Sequence, residues 1–433
     1  MSEHIPRHLT LKHPLSTLSV IFGIWKAVLL LLALASPGPG YDTSTTLLDW
    51  PERYTLLSKL VRWDSIYFTQ IAQHGHLFEQ EWAWGTGITS VLAWGSRLLF
   101  ATSSPSTWQI TVSGLLLSHL TSWMSMMLVW LISAHLAVGT SDAKAQVAFV
   151  AALLYIVSPA GIFLSAPYSE SLFAALNLLG FHLFLLGRNG HARGATARAA
   201  LMTVCGGLAS GLATAVRSNG ILSGMLYGWD ASLSLLALLD QGLRTQQVTR
   251  LLSLIVGGCA VGAGMMLPQY QGYVEYCTGH MESELRPWCK NTIPSIFTFV
   301  QSHYWNVGAF RYWTLSNLPL FLIAAPTLTV LLYSAYGCIR MKLTPPKLQA
   351  QAQHSDSVYL AVPQVVLAVL AITNYHVQII TRLSSGYPYW YLWLALTNVY
   401  GLSDARFLKI VVKWMVLYAT IQAGLYASFL PPA

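Results

Sequence analysis

Apolar runs separated by short polar connectors recur from Leu15 almost to Leu430. A helix needs roughly 20 mostly apolar residues to cross a bilayer, and the chain offers that length repeatedly. The first run, Leu15 to Ala35, is interrupted by Lys26 and lacks a small-residue cleavage site. It reads as an uncleaved span rather than a signal peptide. Further apolar stretches cover 86–101, 109–136, 145–165, 169–187, 199–215, 220–239, 251–267, 317–338, 357–375, 388–402 and 410–430. Several are too short for a straight crossing. They predict broken or re-entrant helices, which a membrane tolerates where protein shields the backbone. The pattern as a whole predicts an all-α polytopic membrane protein, with 1–433 forming a single integral membrane domain.

Two segments depart from this pattern. Residues 37–84 carry nine charges in 48 positions, namely Asp42, Asp49, Glu52, Arg53, Lys59, Arg62, Asp64, Glu79 and Glu81. Trp63, Tyr67, Phe68 and Ile71 fall near helical spacing around Asp64, which predicts an amphipathic helix lying along the membrane surface. Residues 269–316 are polar, aromatic and too long for a passive connector. Cys277 and Cys289 lie in this second segment. They read either as a disulfide, if that side is an oxidising lumen, or as two independent buried thiols.

Composition narrows the class. The chain is 54% hydrophobic with mean hydropathy +0.51, and its 24 basic and 16 acidic residues make only 9% charge. Soluble domains carry about 25%, so an ordinary soluble enzyme and a disordered regulator are excluded. Five cysteines are too few for a disulfide framework. The net charge of +8 sits in short loops, around Arg188, Arg193 and Arg198, then Arg244 and Arg250, then Arg340, Lys342 and Lys347, then Arg406 and Lys409. Such clustering marks topology rather than a nucleic-acid surface. Arg7 and Lys12 place the start of the chain on the cytosolic side. All four basic loops share that side if 269–316 and 376–387 lie on the other. One difficulty stands upstream: five single crossings before Arg188 would put its loop on the wrong side. The segments that break the count are 86–101, which holds Arg97, or the long 109–136.

Ionisable groups near apolar spans are costly and tend to mark function. Asp64, in RWDSIYFTQIAQHG, reads as a base for an incoming hydroxyl or as an interfacial anchor. Glu170, in SPAGIFLSAPYSESLF, reads as a site residue or as a helix N-terminal cap. Arg217, in RSNG, could hold a phosphate or snorkel to headgroups. Arg382 invites the same two readings, with His376 and Gln378 nearby. His74 and His76 read as loop residues, and His119, His135 and His182 as packed ones. No metal-binding spacing and no serine-hydrolase elbow is present. Two classes remain: a membrane enzyme acting on a lipid-borne substrate, and a secondary transporter, for which the halves show no convincing repeat.

Five blocks then resemble one family. They are RWDSIYFTQIAQHG at 62–75, SPAGIFLSAPYSESLFA at 158–174, RSNG at 217–220, RPWC at 286–289 with PSIFTFVQSHYWNVGAFRYWTLSNLP at 294–319, and HVQIITRLSS at 376–385 with YPYW at 387–390. In this order they are similar to the GPI mannosyltransferase 2 family. The resemblance implies a GT-C-like, multi-pass enzyme of the endoplasmic reticulum membrane with luminal loops and interfacial helices. It implies dolichyl phosphate mannose as donor, a one-mannose GPI-precursor lipid as acceptor, an α-1,6 product formed with inversion, and no cofactor or metal. A small accessory membrane subunit is a further implied partner. Asp64 takes the catalytic position in this reading, and Arg217 and Arg382 hold the donor phosphate. Glu170, Gln301, His303, Trp305, His376 and Gln378 orient sugars, with Tyr304 beside them. One departure is visible. Where the family commonly has a phenylalanine-rich stretch ending in proline, this chain has EWAWGTGITSVLAW at 81–94, which argues against roles for Glu79 and Glu81.

Overall fold

The computed structural model of the chain describes residues 13–38, 44, 48–279, 281–343, 351–402 and 405–430. Arg7, Lys12, Asp42 and Lys347 lie outside the described residues, as do the side chains of Arg340 and Lys342. The helices are α1 (Pro14–Ala35), α2 (Asp64–His74), α3 (Thr86–Phe100), α4 (Thr107–Leu136), α5 (Ser141–Ile156), α6 (Ser169–Ala192) and α7 (Thr196–Val216). They continue with α8 (Gly224–Gln241), α9 (Thr245–Cys277), α10 (Ile296–His303), α11 (Leu318–Leu343), α12 (Gln351–Thr373), α13 (Tyr389–Val399) and α14 (Ala405–Ala427). Among the described residues nine helical segments are long and apolar enough to cross a membrane.

The bundle has two chemically distinct ends. At one, Gln73 of α2 meets Thr107 at the start of α4, and Phe100 packs its ring against Trp108. Both ends of α3 therefore lie on this face, and α3, only 15 residues long, does not cross. That resolves the counting difficulty: 86–101 is the segment that turns back, while the 30-residue α4 is one crossing. Four crossings (α1, α4, α5 and α6) then bring Arg188 to the opposite end. Arg188 lies 18 residues beyond Glu170 along α6, about 27 Å at 1.5 Å per residue.

Two crossings are made by helices too short to do so alone. The 16-residue α5 is extended by a buried 3-10 turn, Gly161–Leu164, and by the irregular turn 165–168. Broken backbone inside a membrane must find partners. Here Lys26 donates to Leu164 O at 2.8 Å and to Ser165 Oγ at 3.1 Å, and Ser118 donates to Ala166 O at 2.7 Å. The charge that interrupts the first apolar run thus repairs the break after α5. The 11-residue α13 follows a second break. There Asn177 donates to Gly386 O, and Gln364 accepts from Trp390 N–H.

At the far end, Arg188 and Arg250 are more than loop charges. Arg188 pairs with Asp230 at 2.9 Å and Asp356 at 2.6 Å, and Arg250 grips both oxygens of Asp230. Tyr359 donates to Asp230 at 2.8 Å. Between the ends, α7 and α9 approach through Gly207, Gly211, Gly257 and Gly264. A Cβ on Gly207 would overlap the backbone of Gly257, the close helix contact that small residues permit in membranes.

Candidate active site

The site begins with the backbone around Asp64. Asp64 is the first residue of α2, and Trp63 before it holds φ at +55°. Two buried tyrosines clamp this turn. Tyr168 Oη accepts the Asp64 N–H and donates to Arg62 O, both at 3.1 Å. Tyr426 Oη accepts the Arg62 N–H and donates to Leu60 O. The carboxylate is thereby aimed into a cavity of about 290 Å³ that Arg217 and Arg382 also line.

Four side chains form a row of alternating charge. Arg382 Nη1 donates to Asp64 Oδ2 at 3.3 Å and faces Glu170 Oε1 at 3.6 Å. Arg217 Nη1 donates to the same Glu170 oxygen at 2.9 Å and to Ser169 Oγ at 2.8 Å. Glu170 is buried behind the cavity wall, whereas Asp64 keeps 23% of its side chain exposed. Burial pushes the Asp64 carboxyl above the ordinary carboxylate range. Arg382 and Arg217 pull it back part of the way, and Glu170 adds to the rise. Burial also works against the Arg382 charge, but Glu170 and Asp64 outweigh it and hold the guanidinium firmly protonated. The guanidinium packs over the rings of Phe163 at 4.7 Å and Tyr168 at 5.7 Å.

Gln301, Trp305 and His376 line the same cavity. His376 stacks on Tyr312 at 4.8 Å. His303 and Gln378 are not among its lining residues: His303 stacks on Phe299, and Gln378 accepts the Tyr312 hydroxyl at 3.1 Å. The RSNG and YPYW blocks meet behind the cavity, where Asn219 and Tyr387 exchange hydrogen bonds at 3.2 and 3.1 Å. The sequence reading missed Tyr168, Trp84 and Tyr426. Tyr168 sits in the same SAPYSES block as Glu170, so a signal was present. Tyr426 lies in an apolar helix that offered none.

A lid covers the cavity from the segment 269–316. Cys277 and Cys289 are joined in a disulfide. Glu79, buried, accepts from Arg286 through both oxygens, from Trp288 Nε1 at 2.6 Å and from Tyr304 Oη at 3.1 Å. Burial opposes its charge, but these donors prevail and hold its pKa below the usual glutamate value. Glu81 accepts the N–H groups of Leu77 and Phe78. Both acids therefore shape the turn 79–84, whose end, Gly85 at φ +81°, packs on Val216 O just before Arg217. His76 stacks on Trp82 at 4.3 Å, and burial lowers its pKa to about 4. Among the described residues no group of three or more His, Cys, Asp or Glu side chains gathers as metal ligands would.

Known proteins share this chain's sequence along nearly its whole length. The family model described as Mannosyltransferase (PIG-V) matches residues 32–433. A GPI mannosyltransferase 2 of Aspergillus oryzae is 39% identical over 99% of this chain and 98% of its own. That of Yarrowia lipolytica is 34% identical over 98% and 100%. Among solved structures, the Archaeoglobus fulgidus oligosaccharyltransferase tethered to an acceptor peptide superposes with a TM-score of 0.50 at 13% identity, covering 98% of this chain. The chain spans 56% of that larger protein, and the likeness shows the fold alone. The sequence matches select a transferase over a transporter. The chain belongs to the PIG-V mannosyltransferase family.

Proposed function

We propose that this enzyme transfers the second mannose to a GPI precursor, in α-1,6 linkage with inversion, from dolichyl phosphate mannose on the luminal side of the endoplasmic reticulum membrane. The row Asp64–Arg382–Glu170–Arg217 at the cavity carries the reading. The relatives' names supply the substrate class. The side follows from charge. Arg193, Arg198 and Arg244 lie at the end opposite the cavity, and basic loops favour the cytosol.

The chemistry needs one displacement. The acceptor hydroxyl attacks the anomeric carbon of the donor mannose as the bond from that carbon to the phosphate oxygen breaks. The hydroxyl proton passes to Asp64, and the bonding electrons leave on dolichyl phosphate. A single backside attack turns a β-linked donor into an α-linked product. A phosphate departs without prior protonation, so one carboxylate suffices where glycosidases use two. Arg382 and Arg217 stabilise the charge that grows on the phosphate.

The test supplies dolichyl phosphate mannose and the one-mannose acceptor to membranes containing the enzyme and identifies the linkage formed. Asp64→Asn should lower transfer by about 100-fold or more, the usual scale for loss of a general base, while protein abundance holds. Near-normal conversion by that variant, or another linkage from the wild type, overturns the reading.

A further inference from the structure

The RSNG turn brings a second polar group to the cavity, two residues beyond Arg217. Asn219 is 7% exposed and lines the cavity with Arg217 and Ser218. Tyr387 stands behind it and fixes which way its amide faces. The Tyr387 hydroxyl gives its one hydrogen to Asn219 O at 3.1 Å, so the amide atom that meets it at 3.2 Å is the donor, Nδ2. Asn219 Oδ1 is thereby turned away from Tyr387. It keeps open surface and accepts no hydrogen bond from any described residue.

The turn is held in place before substrate arrives. Ser223, at its end, donates to Asn177 Oδ1 at 2.6 Å, and Asn177 donates to the carbonyl of Gly386, the residue before Tyr387, at 3.0 Å. A Cβ on Gly220 would come within 2.7 Å of Thr214 N, so the chain just after Asn219 has no slack. A group fixed in this way has little freedom left to lose on binding.

The chemistry of an amide oxygen selects its partner, because it accepts and cannot donate. A phosphodiester has no O–H to offer, so the lipid phosphate does not suit it, whereas a sugar hydroxyl does. The hydroxyls nearest a phosphate held by Arg217 belong to the sugar joined to that phosphate. We infer that Asn219 Oδ1 accepts a hydrogen bond from one hydroxyl of the donor mannose and is a specificity-determining residue for the sugar transferred. Arg217 then holds the phosphate and Asn219 the sugar, from one turn of the chain. The anomeric carbon between them is located from both sides and presented to the attacking hydroxyl. This rests on the transferase reading above.

The test compares wild type with Asn219→Ala on dolichyl phosphate mannose and on four donors that lack the C2, C3, C4 or C6 hydroxyl of the mannose. Asn219→Ser takes its place if the alanine variant does not accumulate. With the natural donor the substitution should lower donor kcat/KM by about 3- to 10-fold, the scale of one lost hydrogen bond, and leave acceptor KM within about twofold. The same loss should recur on three of the deoxy donors and vanish on the fourth, whose missing hydroxyl is the partner. An equal loss on all five donors would mean that Asn219 only supports Tyr387 and the turn, and it overturns the inference. No loss with the natural donor, or a loss carried by acceptor KM, overturns it as well. If the wild type forms no product from the natural donor and the one-mannose acceptor, the transferase reading itself has failed, and this inference falls with it.

Discussion

Arg382 Nη1 lies 3.3 Å from Asp64 Oδ2, so the proposed base and the arginine proposed to hold the phosphate are each other's counter-ions before substrate arrives. The contact fixes a sign. In the proposed mechanism Asp64 works as a carboxylate, and its pKa is already raised by burial. Activity should therefore fall as pH drops through a value above the ordinary aspartate pKa of about 4. Arg382→Gln removes an influence that lowers that pKa, so the acid limb of residual kcat/KM should move to higher pH. A limb that stays in place would show that Asp64 is not the group being titrated.

Tyr168 holds the turn that aims Asp64. Tyr168→Phe deletes a hydroxyl that accepts one backbone N–H and donates to one carbonyl. With buried backbone groups left unpaired at about 1–3 kcal/mol each, kcat should fall roughly tenfold while donor KM changes little. Steady-state kinetics on both substrates decide it, and a near-native kcat would refute the positioning role.

The lid depends on a single buried acid. Glu79→Gln weakens the contacts to Arg286 and Trp288, so limited proteolysis within 281–295 should quicken and transfer should fall. Reducing the Cys277–Cys289 disulfide should give the same pattern. Because the folded pKa of Glu79 is depressed, its stabilisation is present above the unfolded value of about 4.3. It disappears as pH falls through the folded value. Equal protease sensitivity in variant and wild type would count against the lid's dependence on Glu79.

At the far end, Asp230→Ala strands Arg250 and leaves Arg188 to Asp356. Breaking a buried ion pair by deleting one partner costs about 3–5 kcal/mol. Thermal unfolding in detergent should shift markedly downward, with both KM values unchanged in the protein that remains folded. A shift in either KM would tie this network to the active site.

Long spans were legible from hydrophobic runs: 109–136 became Thr107–Leu136, and 410–430 became Ala405–Ala427. Asp64 stood out as a carboxylate among aromatic residues, its role was assigned through the family resemblance, and the structure places it in the cavity wall. Asp230 and Asp356 were hidden for the opposite reason. Each sits inside an apolar stretch or at its edge, and its neutralising arginine looked like a loop charge. Glu170 looked like a helix cap because the two arginines that flank it arrive from residues 217 and 382. Pairings such as Arg62 with Tyr426, 364 residues apart, leave no local trace.

The row at the cavity holds two carboxylates and two guanidiniums, whose formal charges cancel. The proposed transfer moves one proton onto Asp64 and one negative charge onto the departing phosphate, so the sum over site and donor is the same before and after. Arg382 exchanges one anion for another, and no counter-ion has to enter a confined, water-poor space. The proton left on Asp64 must then escape through the cavity mouth before the next turnover. The rate of the cycle is thereby tied to how readily water reaches that carboxyl once the lipid phosphate has gone.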